Sequence, residues 1–230
     1  FSKISTFLCP SDASQASVSV TTGTFTGTLP LTNYPNNIGT FAPEATTGMV
    51  NGPAYYVGVT SPSSSLVRLA TITDGTSNTA IFSEYLAYES STQNGNWQIY
   101  QDTVDSAKVA TPLLTLATDC QAAVTIAPPA TGVSSDDGMK GVDWLFQHCG
   151  AGGCYSHVIT PNKKACYFTG SKTAGHPTST MIGASSFHPG GANVAFLDGS
   201  VRFIKDSVSQ PTWWALATKA GGEVISSDSY

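Results

Sequence analysis

The run from Ser185 to Ile204 constrains the chain most, because it reads as a turn, a strand, a tight turn and a second strand. Pro189-Gly190 suits a type II turn: proline presets φ and glycine accepts φ > 0. Asp198-Gly199 lies between two alternating apolar runs, the strongest short-range hairpin signal. A two-residue loop there sets Leu197 opposite Ser200, Phe196 opposite Val201, Ala195 opposite Arg202 and Val194 opposite Phe203. Pairing partners share a side and side chains alternate along a strand. This register therefore gathers Val194, Phe196, Val201 and Phe203 on one face as a core surface, and a slip of one residue would scatter them.

The rest of the chain offers weaker strands and few helices. Ala13 to Leu31 alternates at Val18, Val20 and Phe25 and reads as weak strand and loop, and Asn33 to Pro53 is rich in Asn, Gly and Pro and reads as surface loop. Ala54 to Thr60 and Trp97 to Val104 are strand candidates. Leu66 to Ile72 and Thr79 to Tyr85 read as two strands bridged by Asp74-Gly75-Thr76-Ser77-Asn78, whose side chains favour local bonds to backbone. Leu113 to Ile126 fits helix or strand, Ala127 to Lys140 is a loop, and Tyr155 to Ile159 and Ala165 to Phe168 are short strand candidates. Near the end, Ser209 or Gln210 caps a short helix with Pro211 as its first residue, Trp213, Leu216 and Ala217 on one face and Gly221 as its stop. Glu223 to Ser226 can return as a last strand. The expected class is α+β, predominantly antiparallel β.

The 230 residues fit one large domain, or one domain with an insertion. Only 11% are charged against 40% hydrophobic, so the solvated surface must be mostly Ser, Thr, Asn, Gln and Gly, as on an extracellular or assembly-forming protein. The net charge of −5 comes without a basic cluster, which excludes a phosphate-binding stripe and with it nucleic acid. No stretch approaches the roughly 20 apolar residues of a membrane span. Of the five cysteines, Cys9, Cys120, Cys149, Cys154 and Cys166, no pair has the spacing of a zinc ribbon. We expect at least one disulfide among the last four: Cys149 and Cys154 could close a small loop, or Cys166 could pair with Cys149, Cys154 or Cys120.

Four segments carry a family resemblance. His188, nine intervening residues and Asp198-Gly199 resemble the His-x9-Asp-Gly signature of a large bacterial prepilin-type family, also catalogued as a domain of unknown function with a solute-binding name. Phe7-Leu8-Cys9-Pro10-Ser11-Asp12, Ile72-Thr73-Asp74-Gly75-Thr76-Ser77-Asn78-Thr79 and Ala220-Gly221-Gly222-Glu223-Val224-Ile225 resemble the same family in the same order. The resemblance implies a pilin-like or pseudopilin-like globular head, residues 1–89 and 181–230, interrupted by a cysteine-containing insertion, residues 90–180. It also implies a prepilin leader and an apolar N-terminal helix, neither of which this chain contains, so that any membrane contact runs through that helix.

Each tempting chemical group has a structural reading beside it. His188 could be catalytic, or could donate to nearby carbonyls and lock the hairpin entry. Asp74, Ser77 and Asn78 could hold calcium or a sugar, or form a self-capped turn. Cys149, Cys154, His148 and His157 could make a zinc site of irregular spacing, and Asp136, Asp137 and Asp143 either a calcium site or a solvated loop. We take His188, Pro189, Gly190, Asp198, Gly199, Asp74, Gly75 and Asn78 as structural, and expect no metal or other cofactor beyond a calcium ion at such a loop. The resulting expectation is a non-catalytic structural subunit of an extracellular filament or cell-surface assembly. It would associate with copies of itself and with other pilin-like subunits, through the polar segments Ala13 to Thr32 and Asn33 to Pro53. The alternative is a secreted solute- or glycan-binding module using Tyr55, Tyr56, Trp97 and Trp144.

Overall fold

A computed structural model describes residues 2–12, 17–22, 25–40, 51–54, 67–87, 99–102, 112–126, 140–141, 144, 153–168, 180–226 and 229–230. The architecture is α+β and dominated by β, with mostly antiparallel pairing. β1 (Ser17–Thr22) and β2 (Phe25–Pro30) form a separate hairpin, with Val18 opposite Leu29 and Val20 opposite Gly27. The central sheet has five strands in the order β11-β10-β4-β3-β7, built from β3 (Asn36–Asn37), β4 (Ala80–Ser83), β7 (Cys154–Tyr155), β10 (Gly191–Phe196) and β11 (Val201–Lys205). Its pairs are antiparallel except β3–β7. A second sheet, β6-β5-β8-β9, joins β5 (Ile99–Asp102), β6 (Thr125–Ile126), β8 (Ala165–Phe168) and β9 (Thr180–Met181). The ambiguous segment after Pro112 is helix α1 (Leu113–Ala122) followed by β6.

The hairpin β10–β11 pairs one residue away from the expected register. Ala195 faces Val201, Val194 faces Arg202, Asn193 faces Phe203 and Ala192 faces Ile204. The loop is Leu197-Asp198-Gly199, closed by Phe196 N donating to Ser200 O and Gly199 N donating to Phe196 O. Gly199 has φ +85°, which suits a three-residue loop ending on a left-handed glycine. The Asp198 carboxylate accepts from Ser200 N and Oγ, which holds its pKa below the usual range. The consequence is that Ala192, Val194, Phe196 and Ile204 point into the core while Val201 and Phe203 point to solvent. Arg202, on the inner face, lies over the Phe196 ring at 4.4 Å and reaches Tyr230, so the chain end covers this edge of the core.

Several other expectations are corrected. Leu69–Thr71 is a 3-10 turn, so the Asp74-Gly75 segment does not bridge two strands. The Asn33 to Pro53 segment is not simply surface loop: Asn33, Asn37, Ile38, Gly52 and Pro53 are buried, because amide side chains serve backbone groups that no ladder reaches. Helix α2 (Gln210–Ala215) is capped by Ser209, has Pro211 at its second position, and ends before Gly221. Glu223 to Ser226 forms no strand. The strand candidate Ala54 to Thr60 lies almost wholly outside the described residues. Among those described, no helix is long and apolar enough to cross a membrane.

The main core gathers Ala80, Tyr85, Tyr155, Val194, Phe196, Ile204, Trp213 and Leu216. Trp213 donates its indole N–H to Ile159 O and stacks on His157 at 3.7 Å. His157 is fully buried, with Nδ1 2.8 Å from Trp213 O and Nε2 3.0 Å from the Tyr155 hydroxyl. A carbonyl can only accept, so Nδ1 carries the proton and Nε2 accepts from Tyr155. Both nitrogens are thereby committed, which removes His157 from any zinc site. A smaller cluster packs Leu116, Val158 and Met181 around the disulfide Cys120–Cys166. That bridge closes a sequence separation of 46, which chain entropy values at about 4 kcal/mol. Cys154 is also disulfide-bonded, so it is not a metal ligand either.

Two outcomes follow from this packing. Gly199→Val should lower the unfolding free energy by about 1–2 kcal/mol, the cost of a left-handed β-branched residue, with Gly199→Asn close to wild type in urea titrations. Burial pushes the His157 pKa down to about 3, so between about pH 6.5 and 3 the unfolded chain binds a proton that the folded chain refuses. Stability should therefore fall on acidification below about pH 6.5, by up to about 1.4 kcal/mol per pH unit. His157→Phe should be less stable at neutral pH yet show a flatter acid limb in pH-dependent melts.

Candidate functional site: a polar clasp between the two ends of the chain

The family-like segments, far apart in sequence, converge on two junctions. At the first, Asp74 Oδ1 accepts from Gly222 N and Oδ2 from Gly221 N and the Thr218 hydroxyl. Asn78 Nδ2 donates to Asp74 O, and Asp198 N donates to Thr76 O. Gly75 and Gly222 both have positive φ. Three donors of the tail thus engage the Asp74 carboxylate, and this turn joins the hairpin tip to the C-terminal segment.

The second junction is richer in chemistry. Asn33 Oδ1 accepts from Cys9 N, and Asn33 Nδ2 donates to Asp12 Oδ2 at 2.5 Å and to Tyr85 O. Asp12 Oδ2 also accepts from Ala87 N. This fixes the Cys9-Pro10-Ser11-Asp12 turn against the segment that follows β4. Glu84, two residues from Leu86 and buried, turns its carboxylate to β10: Oε2 accepts from Asn193 N at 2.9 Å and Oε1 from Asn193 Nδ2 at 3.1 Å. His188 is brought in by the next turn. Ser186 Oγ accepts from His188 N and donates to Gly191 O, closing the loop, while Gly190 has φ +83°. Gly191 passes so near Ile204 O that a Cβ would stand 2.2 Å from it.

His188 therefore does not lock the hairpin entry through backbone carbonyls. Its Nε2 stands 3.4 Å from Glu84 Oε1, and the Cys9 thiol, the free cysteine among the described residues, lies 3.8 Å from the same oxygen. The three ligand atoms fall within 4.8 Å of one another. The Tyr34 hydroxyl donates to the Cys9 sulfur, and burial together with the neighbouring Cys9 and Glu84 pushes its pKa up to about 12, so it remains a donor at neutral pH. His188 is partly exposed while Cys9 and Glu84 are buried.

Behind this cluster sits Lys140, buried, with Nζ 3.5 Å from Ser185 Oγ. Desolvation lowers its pKa to about 7, against an opposing pull from Asp12. An amine of that pKa beside a hydroxyl is the chemistry of a base and a nucleophile, but Ser185 is buried and already accepts from Leu86 N. The pair serves the clasp.

Among the remaining candidates, Trp144 packs against Phe7 at 5.7 Å instead of presenting a ligand platform. Tyr55, Tyr56, Trp97, Asp136, Asp137, Asp143, His148 and Cys149 lie outside the described residues. Glu84, Tyr34, Asn33 and Lys140 had no place in the sequence reading. For Glu84 and Lys140 a signal existed: Glu84 is a lone carboxylate in the apolar run Thr79 to Leu86, and Lys140 is a lone cation flanked by Met139 and Gly141.

Asn33→Ala should leave Tyr85 O and Cys9 N unpaired and cost about 2–4 kcal/mol. Loosening of the turn should also speed Cys9 modification by a thiol reagent in native buffer.

Residues 1–210 match the model of a family catalogued with a bacterial solute-binding label and described as Protein of unknown function (DUF1559). No curated protein and no solved structure matches the chain.

Proposed function

The chain belongs to the DUF1559 family, and we propose that this member is a non-catalytic structural subunit of an extracellular bacterial pilus-like filament or surface assembly. The observation that carries the reading is the outer face of the central sheet. Phe82, Ala195 and Val201 form one cross-strand row over β4, β10 and β11, and Phe203 stands in the next row opposite Asn193. Phe82 is 45% exposed, Val201 65% and Phe203 43%. A one-sided antiparallel sheet ordinarily turns polar residues to water, and an apolar patch of this kind fits a surface that is covered in the working state.

Composition supports the same reading. With so few charged residues the head has little electrostatic protection against self-association, and burial of an apolar face responds weakly to screening. In this proposal the subunit contact is the sheet face. Much of the polar segment from Asn33 onward is unsuited to it, because Asn33, Asn37, Ile38 and Gly39 are inside. The prepilin-type character and the cell-surface location belong to this proposal.

Light scattering on the 230-residue chain tests it. The wild type should self-associate as concentration rises, with little change from low to high salt, and Val201→Lys combined with Phe203→Lys should remain monomeric with an unchanged far-ultraviolet spectrum. Ordered filaments in electron micrographs of native material would support the assembly role. A wild-type monomer at every concentration, with saturable uptake of a glycan or small solute, would replace it with the binding-module reading.

A further inference from the structure

We propose that Cys9, Glu84 and His188 form a three-ligand site for a borderline divalent transition metal, zinc first, with the fourth position open to water or an exogenous ligand. Zinc bonds of about 2.3 Å to sulfur and about 2.0 Å to nitrogen or oxygen, at tetrahedral angles, set ligand atoms about 3.3–3.6 Å apart. The Nε2 to Oε1 distance of 3.4 Å already fits, and the Sγ to Oε1 distance of 3.8 Å needs only a small contraction. The three ligands come from three segments, the N-terminal turn, the residue after β4 and the turn before β10, so the geometry is held by the fold.

Charge and supporting contacts agree with a metal. Thiolate and carboxylate together balance a dication, which removes the penalty of burying either anion alone. Binding releases the thiol proton to solvent and leaves the imidazole neutral. The two donors of Asn193 orient the Glu84 carboxylate, and the Tyr34 hydroxyl donates to the sulfur; such outer contacts fix the ligands of metal sites. Each Glu84 oxygen retains a lone pair beyond its bond from Asn193. Partial exposure of His188 supplies the entry path and the open position. Sulfur and imidazole ligands disfavour calcium and magnesium. A reduced thiol in a chain that carries disulfides is also more readily understood as a ligand than as a leftover.

The experiment uses the full chain, stripped with chelator and kept without reductant, so that Cys9 is the free thiol among the described residues. Cobalt(II) is the probe. Titration should develop tetrahedral visible bands and a thiolate charge-transfer band that saturate at one equivalent, and zinc should displace them and raise the melting temperature. Cys9→Ser should lose the charge-transfer band, His188→Gln should lose tetrahedral binding, and Asn193→Ala should weaken affinity by about 10–100-fold. Circular dichroism and the urea midpoint establish that each variant is folded. Absence of the thiolate band in folded wild type, or an unchanged band in Cys9→Ser, would overturn the site and leave a Glu84–His188 ion pair with a buried thiol. Self-association is read separately and is not required for either result.

Discussion

The buried side-chain amide of Asn37 is the contact on which the central sheet depends. Its Nδ2 donates to Ala80 O at 2.8 Å and to Ala217 O at 2.9 Å, and its Oδ1 accepts from Gly39 N. One side chain thus reaches β4, the residues after α2 and the loop that follows its own strand. β3 is only two residues long, too short to be held by a ladder, yet it stands between β4 and β7. Without the amide, three buried backbone groups would lose partners at once, each at a cost of about 1–3 kcal/mol. Asn33 repeats the device at the N-terminal turn.

These amides explain why a chain with few charges can join remote segments so tightly. Ion pairs would demand desolvation of two charges per joint. Neutral amides and hydroxyls satisfy backbone groups at lower cost, and Asn33, Asn37, Thr79, Ser185 and Ser186 all do so. Among the described residues, the buried carboxylate Glu84 and the buried amine Lys140 both lie at the clasp, beside His188 and Asp12. The concentration of charge at one point of an otherwise neutral interior is what makes that point chemically distinct.

How much of this was legible in the sequence depended on range. Local signals were readable: the Pro189-Gly190 turn, the Asp198-Gly199 turn, the cap at Ser209 and the shared face of Trp213, Leu216 and Ala217. The loop length was not, since an Asp-Gly pair serves a two-residue loop and equally closes a three-residue one. Asn-rich composition suggested a surface because it does not reveal whether an amide faces water or an orphaned carbonyl. The partner of His188 lies across the whole fold, and no local pattern points from one to the other. The cysteine pairing was narrowed to a few options, and only three-dimensional placement brings Cys120 to Cys166.

The hairpin loop has a consequence for how such a surface could arise. Side chains alternate along β11, so the one residue that lengthens the turn decides which half of the strand meets water. With the three-residue loop, Ile204 and Arg202 are inward and Val201 and Phe203 outward. Were the unchanged sequence closed by a two-residue loop, with Leu197 opposite Ser200, the register would move by one residue and turn Arg202 and Ile204 outward and Val201 and Phe203 inward. Which side chains of β11 meet water is therefore decided by the register that the turn selects, and not by the composition of the strand alone.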